Sequence, residues 1–489
     1  MRCWLFAATG VLCLLAPASE SWAEETTPAE QAQAPAEAAP QAQAAEEKPA
    51  APATEPAAEA APPVSFQKDI APFLVQNCLA CHGEKDPKGE YQLHTFESLV
   101  KHGYSDSPIV TPGKPEESEL FNLIKADDPE VRMPKEADPL SAAQVELVRR
   151  WIAEGAKYDA ADPKAPLASI LPPATHKDPP AEYRVALPVT ALTFSPQGQE
   201  LAVGGYYEIT IWNPADGSLV RRIKNVAERT YGLAFSPDGQ RLAAASGTPG
   251  QLGEVRLYDL AQGTLIAQLA SMSDVAFDVA FSPDGTKIAA CGADRSIRIF
   301  DAASGKQEIL IEDHADWVLG IAWSPDGTKL ASASRDKTAK LFDAKTGDAL
   351  VTYPEHGEPV YGVAFNADGS QVLSGGRDKR ILIWNPADGK QAAAIGGFGQ
   401  EVLQIIFSAG QIYGCSADKT VRQFLAENRS AVRSYAGHTD WIYSLAINEP
   451  TRRMATGSYD GEVRIWNLDD GAQVAAFRAA PGLNVPKAN

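Results

Sequence analysis

The chain has 489 residues, with 44 Lys plus Arg against 63 Asp plus Glu, a formal net charge of −19 at neutral pH. That balance argues against nucleic acid or an anionic membrane surface as a partner, since both repel an acidic protein.

Residues 1–23 read as a secretory signal peptide. Arg2 supplies the positive start, Trp4 to Leu15 a short apolar run, and Ser21-Trp22-Ala23 a small-x-small cleavage site before Glu24. The expected location is therefore periplasmic or exported, with no membrane span after cleavage; an uncleaved signal would instead tether the chain. Cys13 follows Leu12 rather than a small residue, which argues against a lipoprotein anchor. Residues 24–63 are almost entirely Ala, Pro, Glu, Gln and Thr. Too little apolar surface is available there to offset backbone entropy, so a disordered acidic linker is expected.

Residues 64–160 form the next expected domain, small and all-α. A helix over 66–77 leads into Cys78-Leu79-Ala80-Cys81-His82. Two thiols three residues apart can form thioethers with both vinyl groups of one porphyrin, and the adjacent imidazole can bind its iron. The string is thus the attachment signature of a c-type haem, with Cys78 and Cys81 as covalent anchors and His82 as the proximal ligand. A redox dithiol and half a zinc site are the alternatives. Zinc would need two more nearby ligands, yet Cys291 and Cys415 lie some two hundred residues or more downstream, and Cys3 and Cys13 fall in the signal. Covalent haem attachment in bacteria takes place outside the cytoplasmic membrane, which agrees with export.

For the sixth iron position, Met133 in Arg132-Met133-Pro134-Lys135 is the expected distal ligand, with His94 and His102 as alternatives. A thioether opposite imidazole raises the reduction potential and closes the iron to substrates. A last helix follows, capped by Ser141 with Gln144 at N3, stapled by Leu140 and Val145, and apolar at Val145, Val148, Trp151 and Ile152 before Gly155.

The succession C-L-A-C-H-G, Y-Q-L, T-P-G-K-P-E-E-S-E-L, R-M-P and L-S-A-A-Q-V-E-L-V-R-R-W-I-A-E-G-A resembles the cytochrome c-like domain of planctomycete secreted proteins. That resemblance implies one haem c, with His82 proximal and Met133 distal. Lys135 departs from the family, where a second proline is frequent.

After a linker at 161–180, an aromatic or apolar anchor recurs before a turn at Phe194, Phe235, Phe281, Trp323, Phe365, Phe407 and Ile447. Spacings of 40 to 46 residues mean an array of small β-sheets, one per repeat. Seven units over 181–481 would close into an all-β propeller with no long free edge, followed by a tail at 482–489. The repeats resemble WD-repeat propellers. In that family a histidine, a Ser or Thr, a turn Asp and an aromatic form a buried hydrogen-bonded set. The resemblance assigns His314, Ser332, Asp336 and Phe342 to it in repeat four, and His356, Asp378 and Trp384 in repeat five. His438, Thr456, Asp460 and Trp466 fill it in repeat seven. All three propeller histidines are then structural, leaving none for copper, zinc or a second haem. Cys291 and Cys415 read as buried fillers on opposite sides of the ring. Residues 183–187 and 473–478 compete for the ring-closing strand.

Together these features predict an exported single-haem c-type cytochrome that carries electrons, its propeller a platform for other proteins and no enzyme. Residues 64–160 hold 11 basic and 17 acidic side chains, so a basic redox partner is expected. The alternatives are a propeller–cytochrome oxidoreductase, of the quinoprotein dehydrogenase or haem nitrite reductase kind, and a haem-based redox or gas sensor.

Overall fold

Ser65 starts the first helix by accepting from Lys68 N, while Asp69 accepts from Ser65 N. A π-helical turn, Phe66–Ile70, runs into α1 (Ala71–Asn77) and then α2 (Leu79–His82). In this computed structural model residues 62–83, 91–101, 108–135, 138–160 and 162–483 are described. The expected signal, most of the 24–63 linker, His102 and the end of the tail lie outside the described residues.

The described helices are completed by α3 (Phe96–Val100), α4 (Glu119–Lys125), α5 (Ala142–Ala153) and α6 (Leu167–Ile170). The capping box of Ser141 and Gln144 is formed in both directions, and Gly155 leaves α5 at φ +101. Val148, Trp151 and Ile152 are its buried face. They join Phe66, Ile70 and Leu74 of the first helix in one core. Phe66 stands at the centre, with ring centroids 4.9 Å from Phe96 and 5.5 Å from Trp151. The expected linker at 161–180 is in part built into structure. Leu167 N bonds to the His94 carbonyl and Gln67 reaches Ile170, so α6 belongs to the helical unit, Met1–Pro172.

The second unit, Pro173–Asn489, is a propeller of seven four-stranded antiparallel sheets, each made of four consecutive strands. The Ser-Pro-Asp-Gly turns show why the sequence folds this way. Ser236 Oγ bonds to Asp238, Gly239 N returns to the Ser236 carbonyl, and Gly239 takes φ +73, a conformation that suits glycine. The long spacing from Phe235 to Phe281 is absorbed by an extended hairpin in blade two, Arg241–Thr248 with Leu252–Asp259.

Neither strand candidate closes the ring by exchange. Gln473–Arg478 is simply the fourth strand of blade seven, while 183–187 is no strand. Closure is instead lateral: Val189 N bonds to Ser458 O, Ser444 Oγ to Val189 O, and Asn448 Nδ2 to Ser195 O. The inner strands enclose a central channel of about 410 Å³ whose lining includes Tyr231, Phe277, Asp278, Tyr361, Gln404 and Tyr443.

Candidate functional site

Cys78 closes α1, its N–H bonding to Leu74 O, and its own carbonyl accepts from His82 N. The helical turn thus holds Cys78, Cys81 and His82 in one short stretch of backbone. Cys78 is half-buried and Cys81 exposed, and neither is in a disulfide. Burial pushes the Cys78 thiol up to about 12, with Cys81 adding to the rise. The His82 ring lies edge-on to Tyr91 at 5.5 Å, and its Nδ1 is 3.1 Å from the Tyr91 carbonyl. Leu93 N bonds to His82 O at 2.7 Å, fixing the strand of chain that carries that carbonyl.

Met133 is held by its N–H to the Leu123 carbonyl at the end of α4. Its side chain is half-buried and stands outside the apolar core cluster. His94 carries a buried Nδ1 with no partner, as do the Tyr91 hydroxyl and Arg132 Nε. Burial, then Glu119 and Cys78, drive the Tyr91 hydroxyl upward, so it is a neutral donor. The unsatisfied Tyr91 hydroxyl beside the C-x-x-C-H turn, and the unsatisfied Arg132 Nε next to Met133 in the chain, fit a group that brings anionic oxygens, as the two propionates of a haem do. Tyr91 and Arg132 stand in the Y-Q-L and R-M-P strings, but sequence reasoning gave neither a role. Arg132 adjoins Met133, but no spacing rule marks either residue.

In the propeller, two of the three predicted histidine sets form completely. His314 Nδ1 is 2.8 Å from Asp336 and Nε2 2.6 Å from Ser332 Oγ. His356 makes the same pair to Asp378 at 3.0 Å and Ser374 at 2.8 Å, with Trp384 Nε1 donating to Ser374. Burial works against the Asp336 carboxylate, yet bonds from His314 and Thr338 hold it well below the usual range. The third set is incomplete. His438 Nε2 meets Thr456 Oγ1 at 2.7 Å and Trp466 donates to the same oxygen, but His438 Nδ1 has no hydrogen-bond partner. Cys291 and Cys415 are fully buried, unbridged, and raised by desolvation.

At one end of the channel aromatic side chains cluster. Tyr231, Phe277 and Trp317 touch in succession at 5.7 Å, and Trp441, Tyr443 and Tyr459 form a second run. Arg335 covers Trp317 at 3.9 Å. Among the described residues no helix is long and apolar enough to cross a membrane.

Comparison with known proteins agrees with both halves. Residues 78–137 match the model of the planctomycete cytochrome C family, and 263–301, 305–343, 347–385 and 429–467 match the WD domain, G-beta repeat. Eukaryotic translation initiation factor 3 subunit I of Schizosaccharomyces pombe is 29% identical over 63 residues, 13% of this chain and 19% of that protein. Transducin-like enhancer protein 2 of Mus musculus is 32% identical over 62 residues, 13% of this chain and 8% of that protein. The chain spans only a small fraction of these relatives. The cytochrome match and the C-x-x-C-H turn support haem binding, and the repeats support a role in protein–protein interaction. The chain joins a domain of the planctomycete cytochrome C type to a seven-bladed WD-repeat β-propeller.

Proposed function

We propose that this protein is an exported, single-haem c-type cytochrome that carries electrons and docks its partners on the propeller. The observation that carries the reading is the His82–Tyr91 bond. A carbonyl only accepts, so Nδ1 is the protonated nitrogen and Nε2 keeps the lone pair a metal requires. Cys78 and Cys81 would then serve as covalent anchors and Met133 as the distal ligand, with Tyr91 and Arg132 as donors to the propionates. The haem, when bound, supplies a one-electron couple. The chain's own residues orient the imidazole through the Tyr91 carbonyl and fix the Met133 backbone through Leu123.

The aromatic mouth of the channel is the docking surface we favour. Aromatic side chains dominate the energetics of protein interfaces, and around Tyr231 and Tyr443 of that mouth Arg229 is outnumbered by Glu228, Asp274, Glu401 and Asp440. A partner with basic side chains suits it. In this reading the protein is a carrier and turns over no substrate of its own.

The test is absorption spectroscopy of the protein matured with haem c, beside Met133→Ala. The wild type is expected to show a weak near-infrared sulfur-to-iron band that the variant loses, and only the variant should bind carbon monoxide. Carbon monoxide binding by both would overturn the carrier reading and turn attention to sensing or catalysis. Haem lost on denaturation from the wild type would overturn covalent attachment.

A further inference from the structure

Blade seven departs from blades four and five at one atom. In those blades the histidine Nδ1 gives its proton to the turn aspartate. In blade seven the aspartate is drawn elsewhere: Asp460 Oδ2 accepts from the Thr439 hydroxyl, while Oδ1 keeps the bond from the backbone N two residues on that Asp336 also has. Blades four and five have Ala315 and Gly357 where Thr439 stands, with no hydroxyl to compete. His438 Nδ1 is consequently an orphan on a side chain only 1% exposed. A buried imidazole nitrogen without a partner is costly and demands an explanation.

A second departure lies two residues after the aspartate. Blades four and six have Thr338 and Thr420 there, and blade five Arg380, whereas blade seven has Glu462. Its Oε2 lies 3.6 Å from His438 Nδ1. One nitrogen of His438 and one oxygen each of Asp460 and Glu462 lie within 4.8 Å of one another. A tetrahedral zinc with bonds near 2.0–2.1 Å separates its ligands by about 3.4 Å, so the His438–Glu462 distance needs little adjustment.

We propose that His438, Asp460 and Glu462 hold a borderline divalent cation of the zinc class. One imidazole and two carboxylates suit that class, whereas calcium would ask for six or more oxygens. The surroundings resemble an outer shell. Thr456 Oγ1 fixes the ring through Nε2, the Thr439 hydroxyl orients Asp460, and Arg464 Nε bonds Glu462 Oε2 at 2.7 Å. With Nε2–H donating to Thr456, Nδ1 presents a lone pair and no proton need leave. Glu462 remains 20% exposed, which leaves a route for the ion and for water in the open position. Two cations stand at the site, Arg464 on Glu462 and Arg478 on the Asp460 carbonyl, and together they offset part of the carboxylate charge.

The test is titration calorimetry with zinc on the full-length haem-loaded protein, freed of any affinity tag and stripped with chelator. One equivalent of zinc should bind, in addition to haem iron, and zinc should raise the unfolding temperature of the propeller. Glu462→Thr, which restores the residue of blades four and six, should weaken binding at least tenfold with an unchanged haem spectrum. Asp460→Asn provides the same reading should the first variant prove unstable without metal. Absence of a stoichiometric site in the wild type overturns the proposal, as does equal zinc affinity in wild type and both variants.

Discussion

His82 Nδ1 meets the main-chain carbonyl of Tyr91, not its side chain, at 3.1 Å. The orientation of the imidazole therefore depends on the backbone path through Tyr91 to Leu93. Tyr91→Phe should leave the ligand field bands of the haem-loaded protein unmoved, because the carbonyl persists. What the variant loses is the buried, unpartnered hydroxyl. If that hydroxyl serves a propionate, haem-loaded Tyr91→Phe should be less stable by about 1–2 kcal/mol in urea unfolding. Unchanged stability with an unchanged spectrum would remove Tyr91 from the haem contacts.

Arg132 adjoins Met133, and its Nε is buried without a partner. As a propionate donor its guanidinium would favour the state with one positive charge fewer, the reduced one. Arg132→Gln should therefore lower the reduction potential. A unit charge about 10 Å away at an effective dielectric near 20 is worth about 1.7 kcal/mol, or roughly 70 mV for one electron. Potentiometry of wild type and variant decides this, and a rise in the variant would contradict the argument.

The start of the propeller unit is pinned by buried charge. Glu254 and Arg256 are both fully buried and paired at 2.8 Å, and His176 reaches Glu254 at 2.6 Å. Arg256 also donates to the carbonyls of Ala174 and Asn225, so the segment around His176 is clasped to blade two. Glu254→Gln leaves a buried guanidinium without its counter-charge, which costs about 3–5 kcal/mol. Calorimetry of the full chain should show the propeller transition fall by several degrees. The double change Glu254→Gln, Arg256→Met should recover part of that loss, since no buried charge is then stranded.

Seven blades were legible because the turn chemistry of Ser236-Pro237-Asp238-Gly239 and its copies repeats with the anchor residues, and periodicity survives substitution. The capping box at Ser141 was legible for the same reason: its logic is local. The ring closure was not. Val189 meets Ser458 across more than two hundred and fifty residues through backbone atoms that any side chain would permit. The role of His176 was hidden likewise, because its partner Glu254 lies on a hairpin of blade two that pattern alone does not align. In blade seven the resemblance named His438, Thr456, Asp460 and Trp466, of which His438, Thr456 and Trp466 meet. It failed to show that the Thr439 hydroxyl takes Asp460 away from His438, a competition between two acceptable hydrogen bonds that geometry alone resolves.

Asp278 faces the channel, where it accepts from Val279 N at 2.8 Å and from Ile321 N of the next blade at 3.0 Å. Burial among the inner strands pushes its carboxyl up to about 6, against the pull of those two N–H groups. The folded protein therefore binds the proton more tightly than the unfolded chain, where an aspartate titrates near 3.9. Between about pH 4 and 6 the native state holds more protons, so stability falls as pH rises through this window and stays lower above it. Because Asp278 is only half-buried, the loss is discounted to about 2 kcal/mol. Blade six meets the same need without charge: Gln404 Oε1 accepts from Leu445 N at 2.8 Å. Asp278→Gln should reproduce that bond, and its stability relative to wild type should improve by about 2 kcal/mol between pH 4 and pH 7. Urea unfolding of both proteins at several pH values measures the gap, and a gap that does not change with pH would show that Asp278 titrates normally.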